Sequence, residues 1–279
     1  MSGATAERAP LPLRLLPGRL RRTAAAVGRQ TRAMLRFLLA LVGASYGVAR
    51  EALRPTSWRR TTRTEFRTTL RQAAGGGVLA TVLTGILVGA AAVAQAMYWL
   101  GIAGLVESGG VLVINVLLRE FAPILVGIIL LGRSGMPMVA EIARLGASGR
   151  LRTLEAEGVD SFILLVLPRS LAFAVSGFTL GIVFAVAALL SAYVTGIAEG
   201  VVNTPLWSFM AHVSTSIGAH SYVAVPIELA LVGYLVGLSS CLTGLGLAGE
   251  DGLLHQLAHG FGRGILTVMT VSILFAVFA

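Results

Sequence analysis

Arg119 and Glu120 stand side by side near the start of a long apolar run, residues 111–140, and Arg133 follows in the same run. A guanidinium offers five N–H donors and a carboxylate offers acceptors, so the pair could bind each other or a polar group brought to them. On one helix the two arginines would be about 21 Å apart. They could anchor the two edges of a membrane span, or one could face a cavity inside the membrane.

A second group of charged residues lies in the polar segment Glu141 to Asp160, between two apolar runs. Its seven charged residues exclude it from hydrocarbon, so it must lie in water between two spans. Its length favours a short amphipathic helix, which we place near residues 147–158. Side chains on such a helix could bind a soluble partner; the alternative is a solvated loop without a partner.

The chain lacks the residue patterns expected of a metal site or a nucleotide-binding loop. His255 and His259 stand four residues apart and could share a helix face, but no third ligand accompanies them as in an HExxH motif, so a polar cytoplasmic loop is favoured over a metal site. The chain has no lysine, which excludes a P-loop and Schiff-base chemistry. Any ATP hydrolysis must therefore come from another chain, and no cofactor is expected. The single Cys241 excludes an intrachain disulfide.

The elements that must position these residues are membrane helices. Of 279 residues, 56% are hydrophobic and 13% charged, and several apolar runs exceed the roughly 20 residues that cross a bilayer. The sequence therefore predicts an all-α integral membrane protein. Its five transmembrane helices are expected near residues 75–100, 111–140, 170–198, 222–249 and 264–279. Gly85 and Gly89, like Gly177 and Gly181, have the small-xxx-small spacing that permits close helix packing.

The N-terminal quarter has a different composition. Residues 1–74 hold fifteen of the 22 basic residues against three glutamates, a pattern typical of an arm on an anionic membrane face and less often of a nucleic-acid tail. We favour the membrane and expect no nucleic acid. Residues 1–32 are predicted as a flexible basic tail, and residues 33–72 as an interfacial amphipathic helix with a linker. A signal peptide is the alternative, but the arginines that follow residue 49 would resist translocation.

The arginines also predict the orientation of the chain. The N-terminal arm, the polar segment 141–160 and the loop near Arg263 hold almost all of them, whereas the loops near residue 107 and at 199–221 hold none. By the positive-inside rule the first group is cytoplasmic. We therefore expect a cytoplasmic N-terminus and an outer C-terminus.

The stretch from Leu118 to Arg169 resembles the permease family of MCE-associated ATP-binding cassette (ABC) transporters, the MlaE/YrbE type. The matching motifs, in the family's order, are Arg119-Glu120 with Pro123, Gly132-Arg133-Ser134-Gly135, Ala140-Glu141, Leu154-Glu155, Gly158, Asp160 and Pro168-Arg169. Weaker similarities are Arg54-Pro55 with Trp58-Arg59, Gly85 to Gly89 with Gln95, and His259 to Ser272. Together they cover most of residues 50–279.

This resemblance implies a permease domain over residues 73–279, in the cell inner membrane, that pairs with a second copy or a paralogue. It implies two further partners, a cytoplasmic ABC ATPase and a periplasmic MCE-domain protein. The cargo would be membrane lipid, phospholipid foremost, and the chain would be a transporter subunit without enzyme activity of its own. The alternatives are a lipid-modifying transferase, which would need clustered His, Asp or Glu, and a secondary transporter, which would show internal repeats.

The resemblance also assigns site residues. The polar segment would be the coupling helix that docks on the ATPase, through Arg150, Arg152, Leu154, Glu155 and Glu157. The lipid would bind Arg119 and Glu120, beside an apolar wall of Leu117, Val93, Met97 and Tyr98. One departure stands out: Gly149 to Arg152 is basic where the family usually has an acidic or amide-rich stretch, and so implies an acidic cleft on the ATPase or a different docking.

Overall fold

The computed structural model describes residues 18–103, 116–158, 160–200, 202, 204–216, 221–246 and 253–278. This described part is helical and contains no strand. Its α-helices are, in chain order, α1 (Gly18–Ala52), α2 (Arg60–Leu70), α3 (Gly76–Ala103), α4 (Ala122–Leu130), α5 (Met136–Ala147), α6 (Arg150–Ala156), α7 (Leu167–Ala198), α8 (Leu206–Ser216), α9 (Ser221–Gly244) and α10 (Leu253–Phe278).

Four π-helical turns join some of these helices into longer rods. They are π1 (Arg71–Gly75), π2 (Leu117–Phe121), π3 (Leu131–Gly135) and π4 (Phe162–Val166). One rod consists of α2, π1 and α3, a second of π2, α4, π3 and α5, and a third of π4 and α7. A π-helical turn widens the helix locally and is often found at functional sites. Here Arg119, Glu120 and Arg133 all lie in such turns.

Six helical stretches of the described residues are long and apolar enough to cross a membrane: Thr31–Ala52, Arg60–Trp99, Leu117–Ala147, Phe162–Ala198, Ser221–Gly244 and Leu257–Val277. The protein is thus an all-α integral membrane protein, as the sequence predicts. The stretch Thr31–Ala52 is the least apolar of the six and lies where we predict an interfacial helix. Length and composition also allow it to cross, so its interfacial position stays a prediction.

The N-terminal helix is longer than the sequence suggests. Helix α1 begins at Gly18, so residues 18–32 are helical where a flexible tail is predicted. The physical reason is that Pro17 is the last proline before Pro55, and nothing between them breaks a helix. The remaining residues of the predicted tail, 1–17, lie outside the described part.

Helix α1 is attached to the rest of the bundle by contacts with two late helices. The Tyr234 hydroxyl donates a hydrogen bond to the Ser45 carbonyl at 3.4 Å. The Arg263 guanidinium lies 5.3 Å from the centre of the Phe37 ring, within the range of a cation–π contact. Helix α1 is therefore part of the folded protein.

Two predicted breaks in the late helices are absent. Helix α10 begins at Leu253, whereas a polar loop is predicted before residue 264. Its glycines allow close packing, because a β-carbon on Gly260 would lie 2.8 Å from the Thr243 methyl group. A proline within an apolar run also predicts a break at Pro168. Instead Pro168 lies inside the continuous rod of π4 and α7, and a local π-helical adjustment of this kind can satisfy the backbone groups that a proline leaves unpaired.

Helix α7 is the centre of the bundle and packs against α2, α3 and α9. Its contact with α3 depends on the glycine pair noted in the sequence. A β-carbon on Gly85 would lie 3.0 Å from the Phe184 carbonyl oxygen, and one on Gly89 would overlap the backbone of Ala188. Backbone-to-backbone packing of this kind is how helices associate closely in lipid.

The contact between α7 and α9 has the same character. A β-carbon on Gly177 would lie 2.6 Å from the Leu229 carbonyl oxygen, and one on Gly181 would overlap the Leu229 side chain. Further along α9, Cys241 is fully buried in the apolar core. The two glycine pairs thus hold α3 and α9 on two sides of α7.

We expect Gly89→Ala to destabilise the protein by about 2 kcal/mol, because the added methyl group has no space against the Ala188 backbone. The melting temperature in detergent should fall by about 5 °C. Gly43→Ala is the matched control, since a β-carbon on Gly43 would meet nothing within 4 Å. Equal melting temperatures for the two variants would contradict this account of the α3–α7 contact.

Candidate functional site

The charged pair singled out by the sequence lies in π2. The Arg119 Nε atom is 4.0 Å from the Glu120 Oε1 atom, and the two side chains are 39% and 40% exposed. Ion pairs this long and this open contribute roughly 0–1 kcal/mol. Within the described residues neither side chain has a second ion pair. The two charged groups therefore remain accessible to another polar group.

The position of Arg119 and Glu120 along the length of the bundle can be measured from a contact between the two rods, far from this pair. Turn π1 contacts π3, and a β-carbon on Gly76 would lie 3.5 Å from the Arg133 Nε atom. The rods that contain α3 and α4 are consecutive stretches able to cross the membrane, so they run in opposite directions from this contact. From this shared level Arg119 lies about 21 Å away along its rod, and Val93 about 25 Å along α3.

The predicted apolar wall is only partly assembled at that level. Val93 and Leu117 are 7% and 2% exposed, so both face the protein interior rather than an open cleft. Met97 and Tyr98 lie about 6–8 Å beyond Val93 along α3. Tyr98 is 63% exposed and packs edge-on against Trp99, with ring centres 5.6 Å apart. The structure brings Val93 to the level of the charged pair and leaves Tyr98 on the outside of the bundle.

Glu228 on α9 is a third charged group in this part of the bundle. It is only 4% exposed, and its electrostatic neighbours are Arg119, Glu120 and Ser272. Its place in the sequence, beside Pro226, suggests the outer edge of a span. Within the protein its burial joins it to Arg119 and Glu120 in one polar group, because ionisable side chains inside a membrane protein face its interior.

The polar segment forms a separate short helix, α6, between two spans. It is bracketed by Gly149 and Gly158, whose φ angles of 75° and 76° lie in the left-handed region that favours glycine. The seven residues of α6 include none that is buried. Leu151 packs over Gly146 at the end of α5, and the Ser161 hydroxyl donates to Glu155 Oε1 at 3.0 Å.

The predicted coupling residues share one environment, because all lie on or beside α6. Arg150, Arg152, Glu155 and Glu157 are exposed, and Leu154 is half-buried. In the part of the chain that the structure describes, no ion pair engages either arginine. Helix α6 is therefore a water-facing element whose charged groups are available to a partner.

Arg169 connects three helices, two of which flank α6 in the chain. It is 4% exposed, and its Nε and Nη2 atoms donate to Glu65 Oε1 on α2 at 3.0 and 2.7 Å. Nη2 also donates to Glu141 Oε1 on α5 at 2.8 Å. We call these three residues the Arg169 cluster. It ties α5 and α7, the two helices that flank α6, to α2.

A cavity of about 380 Å³ adjoins this cluster. It is bounded by α2, π1, π3, α5 and the start of α7. Its lining residues are Glu65, Thr68, Thr69, Gln72, Ala73, Arg133, Ser134, Pro137, Met138, Glu141, Arg169 and Phe173. Both charged and apolar side chains thus face one open cavity in the part of the bundle that leads to α6.

The sequence predicts neither the cluster nor the cavity, although it contains a signal for the cluster. Arg169 is the only charged residue between Ser161 and Ala198. A charge inside a span usually has a partner, so the acidic residues on the same side of the membrane should have been considered. Glu65 is 104 residues away in the chain, and only the fold reveals that it is one of the partners.

The family model described as Permease MlaE matches residues 66–278 of the chain. No curated protein matches it. The matched range contains every lipid-binding and coupling residue predicted from the sequence, together with Arg169, Glu141 and Glu228. Glu65 lies one residue before it.

Proposed function

The chain belongs to the MlaE permease family, and from this premise we propose that it is the membrane subunit of an ABC transporter that moves phospholipid between the inner membrane and a periplasmic MCE-domain protein. The family and the fold support the first part: the protein is a multi-pass membrane permease of the ABC lipid-transport type. Its partners, its cargo and the roles of individual residues are our proposal.

The single observation that carries the proposal is the exposure of α6. A permease without a P-loop must receive the energy of ATP hydrolysis from a separate ATPase, through an element that both proteins contact. Helix α6 is placed between two spans, buries none of its residues in its own chain, and presents Arg150 and Arg152 without intramolecular ion pairs in the described structure. We propose that it is the coupling helix.

The Arg169 cluster supplies the rigid connection that such a helix requires. Helix α6 continues into α5 on one side and reaches π4 and α7 on the other, and Arg169 joins these two arms through Glu141. The bond to Glu65 extends the unit to α2. In our proposal, a displacement of α6 by the ATPase therefore moves three helices together.

At the other end of the bundle, we propose that Arg119 and Glu120 bind the polar part of the transported lipid, with Glu228 as a third group. A guanidinium matches two phosphate oxygens, and the two groups of the exposed pair lie too far apart to satisfy each other. Val93, Met97, Tyr98 and Leu117 belong to the proposed apolar wall. Met97 and Tyr98, about 6–8 Å beyond Val93 along α3, would extend this wall to the outer surface of the bundle.

The assembly that we propose has two permease chains, identical or paralogous, with a cytoplasmic N-terminus on each. Purification of the chain from its native membranes in mild detergent tests this. Peptide mass spectrometry should identify an ABC ATPase and an MCE-domain protein, and lipid mass spectrometry should identify the phospholipid carried. Purification without any ATPase, under conditions that keep the chain folded, would refute the transporter assignment.

We expect Arg119→Ala combined with Glu120→Ala to reduce photo-crosslinking of a phospholipid analogue at π2 by about tenfold, because a hydrogen bond to a charged group contributes about 1.5–3 kcal/mol. The readout is the crosslinked peptide identified by mass spectrometry. Arg36→Ala, which removes an exposed arginine of α1, is the control. Undiminished crosslinking in the double variant would remove Arg119 and Glu120 from the lipid site.

A further inference from the structure

The cavity beside the Arg169 cluster is distant from the proposed lipid site. Arg133, which lines it, is about 21 Å along the helical rod from Arg119. Arg169 lies about 10 Å along its rod from the start of π4 at Phe162, and Glu141 lies on α5, which leads into α6, so the cavity extends towards the end of the bundle that carries α6. Near the end of a membrane helix the polar headgroups of one leaflet adjoin the hydrocarbon. A ligand in this cavity would therefore occupy a different position from the lipid that we propose at π2.

The charges of the cavity balance, but they are not all paired. Two carboxylates, Glu65 and Glu141, and two guanidiniums, Arg133 and Arg169, face it. Both carboxylates bind Arg169, whereas Arg133 has no ion pair in the described residues. Glu141 binds Arg169 through Oε1 only, and its side chain is 56% exposed. One cation and the Oε2 atoms of both carboxylates are therefore available to a ligand, and Glu141 is the more exposed of the two carboxylates.

Arg169, which lines the cavity, also has one hydrogen-bond donor without a partner in the described structure. The Arg169 side chain is only 4% exposed. Its Nη1 atom is buried and has no hydrogen-bond partner within the described structure. Buried polar atoms in native proteins are nearly always hydrogen-bonded. Because Nη1 is buried, an acceptor oxygen of a ligand would reach it only when neighbouring side chains shift, whereas Arg133 is exposed and offers its donors directly.

We propose that this cavity binds the headgroup of a zwitterionic phospholipid with a primary amine, such as phosphatidylethanolamine, from the cytoplasmic leaflet. The phosphate accepts hydrogen bonds from Arg133 and Arg169 Nη1, and the ammonium donates to Glu141. The proposal rests on the proposed function, since it names a lipid class for the same permease.

The pattern of charge selects this headgroup over two others. A purely anionic headgroup would leave the available carboxylate oxygen of Glu141 without a cation and give the site a net negative charge. A choline headgroup has no N–H donor for that oxygen, and quaternary ammonium groups favour cages of several aromatic rings. Phe173 is the one aromatic residue in the cavity lining. A primary ammonium forms the charge-assisted hydrogen bond that Glu141 can accept.

The remaining lining residues favour a lipid over a free phosphoamine. Ala73, Pro137, Met138 and Phe173 give the cavity an apolar portion, which would contact the glycerol and the first methylene groups of an acyl chain. A small soluble zwitterion would leave this portion uncovered. These apolar lining residues therefore favour a lipid over a small soluble ligand.

The test is photo-crosslinking of the full-length protein in phosphatidylcholine nanodiscs that contain a trace of a phosphatidylethanolamine with a diazirine near its headgroup. We expect crosslinks on peptides that contain residues 133–141. In Arg133→Gln these crosslinks should fall by about tenfold, because one charge-assisted contact is lost. Arg133→Lys should restore part of the signal. Arg67→Gln, an exposed arginine on α2, is the matched control and should not change it.

Each other outcome has a defined meaning. Equal labelling by the phosphatidylglycerol or phosphatidylcholine analogue, or no labelling of this region, would overturn the proposal. Displacement of the lipid probe by millimolar free phosphoethanolamine would overturn the lipid source and leave a soluble zwitterion as the ligand. The readout needs no ATPase and no transport, so a failure here is distinct from a failure of the transporter assignment. Retained labelling in Arg119→Ala with Glu120→Ala would show that the two sites are separate.

Discussion

Replacing Glu65 and Glu141 together by glutamine is expected to lower the melting temperature of the purified protein by about 10 °C. The reason is the burial of Arg169, which is 4% exposed and has these two carboxylates as its ion-pair partners. Without them a guanidinium remains inside the bundle with no counter-charge. Loss of one side of a buried ion pair costs about 3–5 kcal/mol, and for a protein of this size each kcal/mol corresponds to about 2–4 °C.

The two glutamates should contribute unequally. Glu141 is 56% exposed and Glu65 is 32% exposed, so water compensates more for the loss of Glu141. Glu65→Gln alone should therefore lower the melting temperature more than Glu141→Gln alone. The measurement is thermal unfolding of each variant in the same detergent.

Removing the guanidinium as well provides the decisive comparison. Adding Arg169→Met to the double variant should recover much of the lost stability, because no buried charge remains. Glu155→Gln with Glu157→Gln changes two exposed glutamates on α6 in the same chemical way and should leave the melting temperature unchanged. If the triple variant is less stable than the double variant, Arg169 stabilises the bundle by packing and not through its ion pairs.

Reversing the charge of Arg150 and Arg152 to glutamate is expected to abolish ATP-driven lipid transfer while the protein stays folded. Both side chains are exposed on α6, and no ion pair within the described residues depends on them. Stability should therefore not change. At an interface, truncation of a buried charge contact typically costs 2–5 kcal/mol, so affinity for the ATPase should fall by about thirtyfold or more.

The assay for this second prediction is lipid transfer and ATPase binding by the reconstituted complex. Arg60→Glu with Arg63→Glu on α2 is the control, because it makes the same change in charge at two exposed arginines away from α6. The control should retain ATPase binding. An unchanged lipid-transfer rate in the α6 variant would refute the assignment of α6 as the coupling helix.

The sequence predicts the class of this protein because its evidence is local. Long apolar runs define membrane helices wherever they occur, and a polar segment of twenty residues between two of them must leave the membrane. The same segment contains Gly149 and Gly158, which end its helix on both sides. Composition and spacing are therefore sufficient to predict the class of the protein, and the two glycines explain where α6 begins and ends.

Other features are not predictable because they depend on distant parts of the chain or on small changes of geometry. The partner of Arg169 on α2 is 104 residues away. A π-helical turn contains residues that an α-helix would accept equally well, so no residue pattern predicts that Arg119 or Arg133 lies in one. Polarity also misplaces the start of α10, since polar residues such as His259 can continue a helix that packs through neighbouring glycines.

The candidate sites also combine features that the sequence predicts with features that only the fold reveals. That Arg119 and Glu120 are charged residues within a span is visible in the sequence, and the structure adds the 4.0 Å separation that keeps both accessible. The burial of Glu228 beside them depends on how α9 meets π2 and α10. The roles of these residues in lipid binding, and of the α6 residues in coupling, stay predictions that the experiments above address.

The complete burial of Cys241 has a practical consequence. Thiol reagents that cannot enter the folded core will not modify the native protein. A cysteine introduced at an exposed position would then be the only one that a membrane-impermeant maleimide can reach. The unaltered chain can therefore serve directly as the background for cysteine scanning, and such a scan would determine which face of the bilayer each loop occupies.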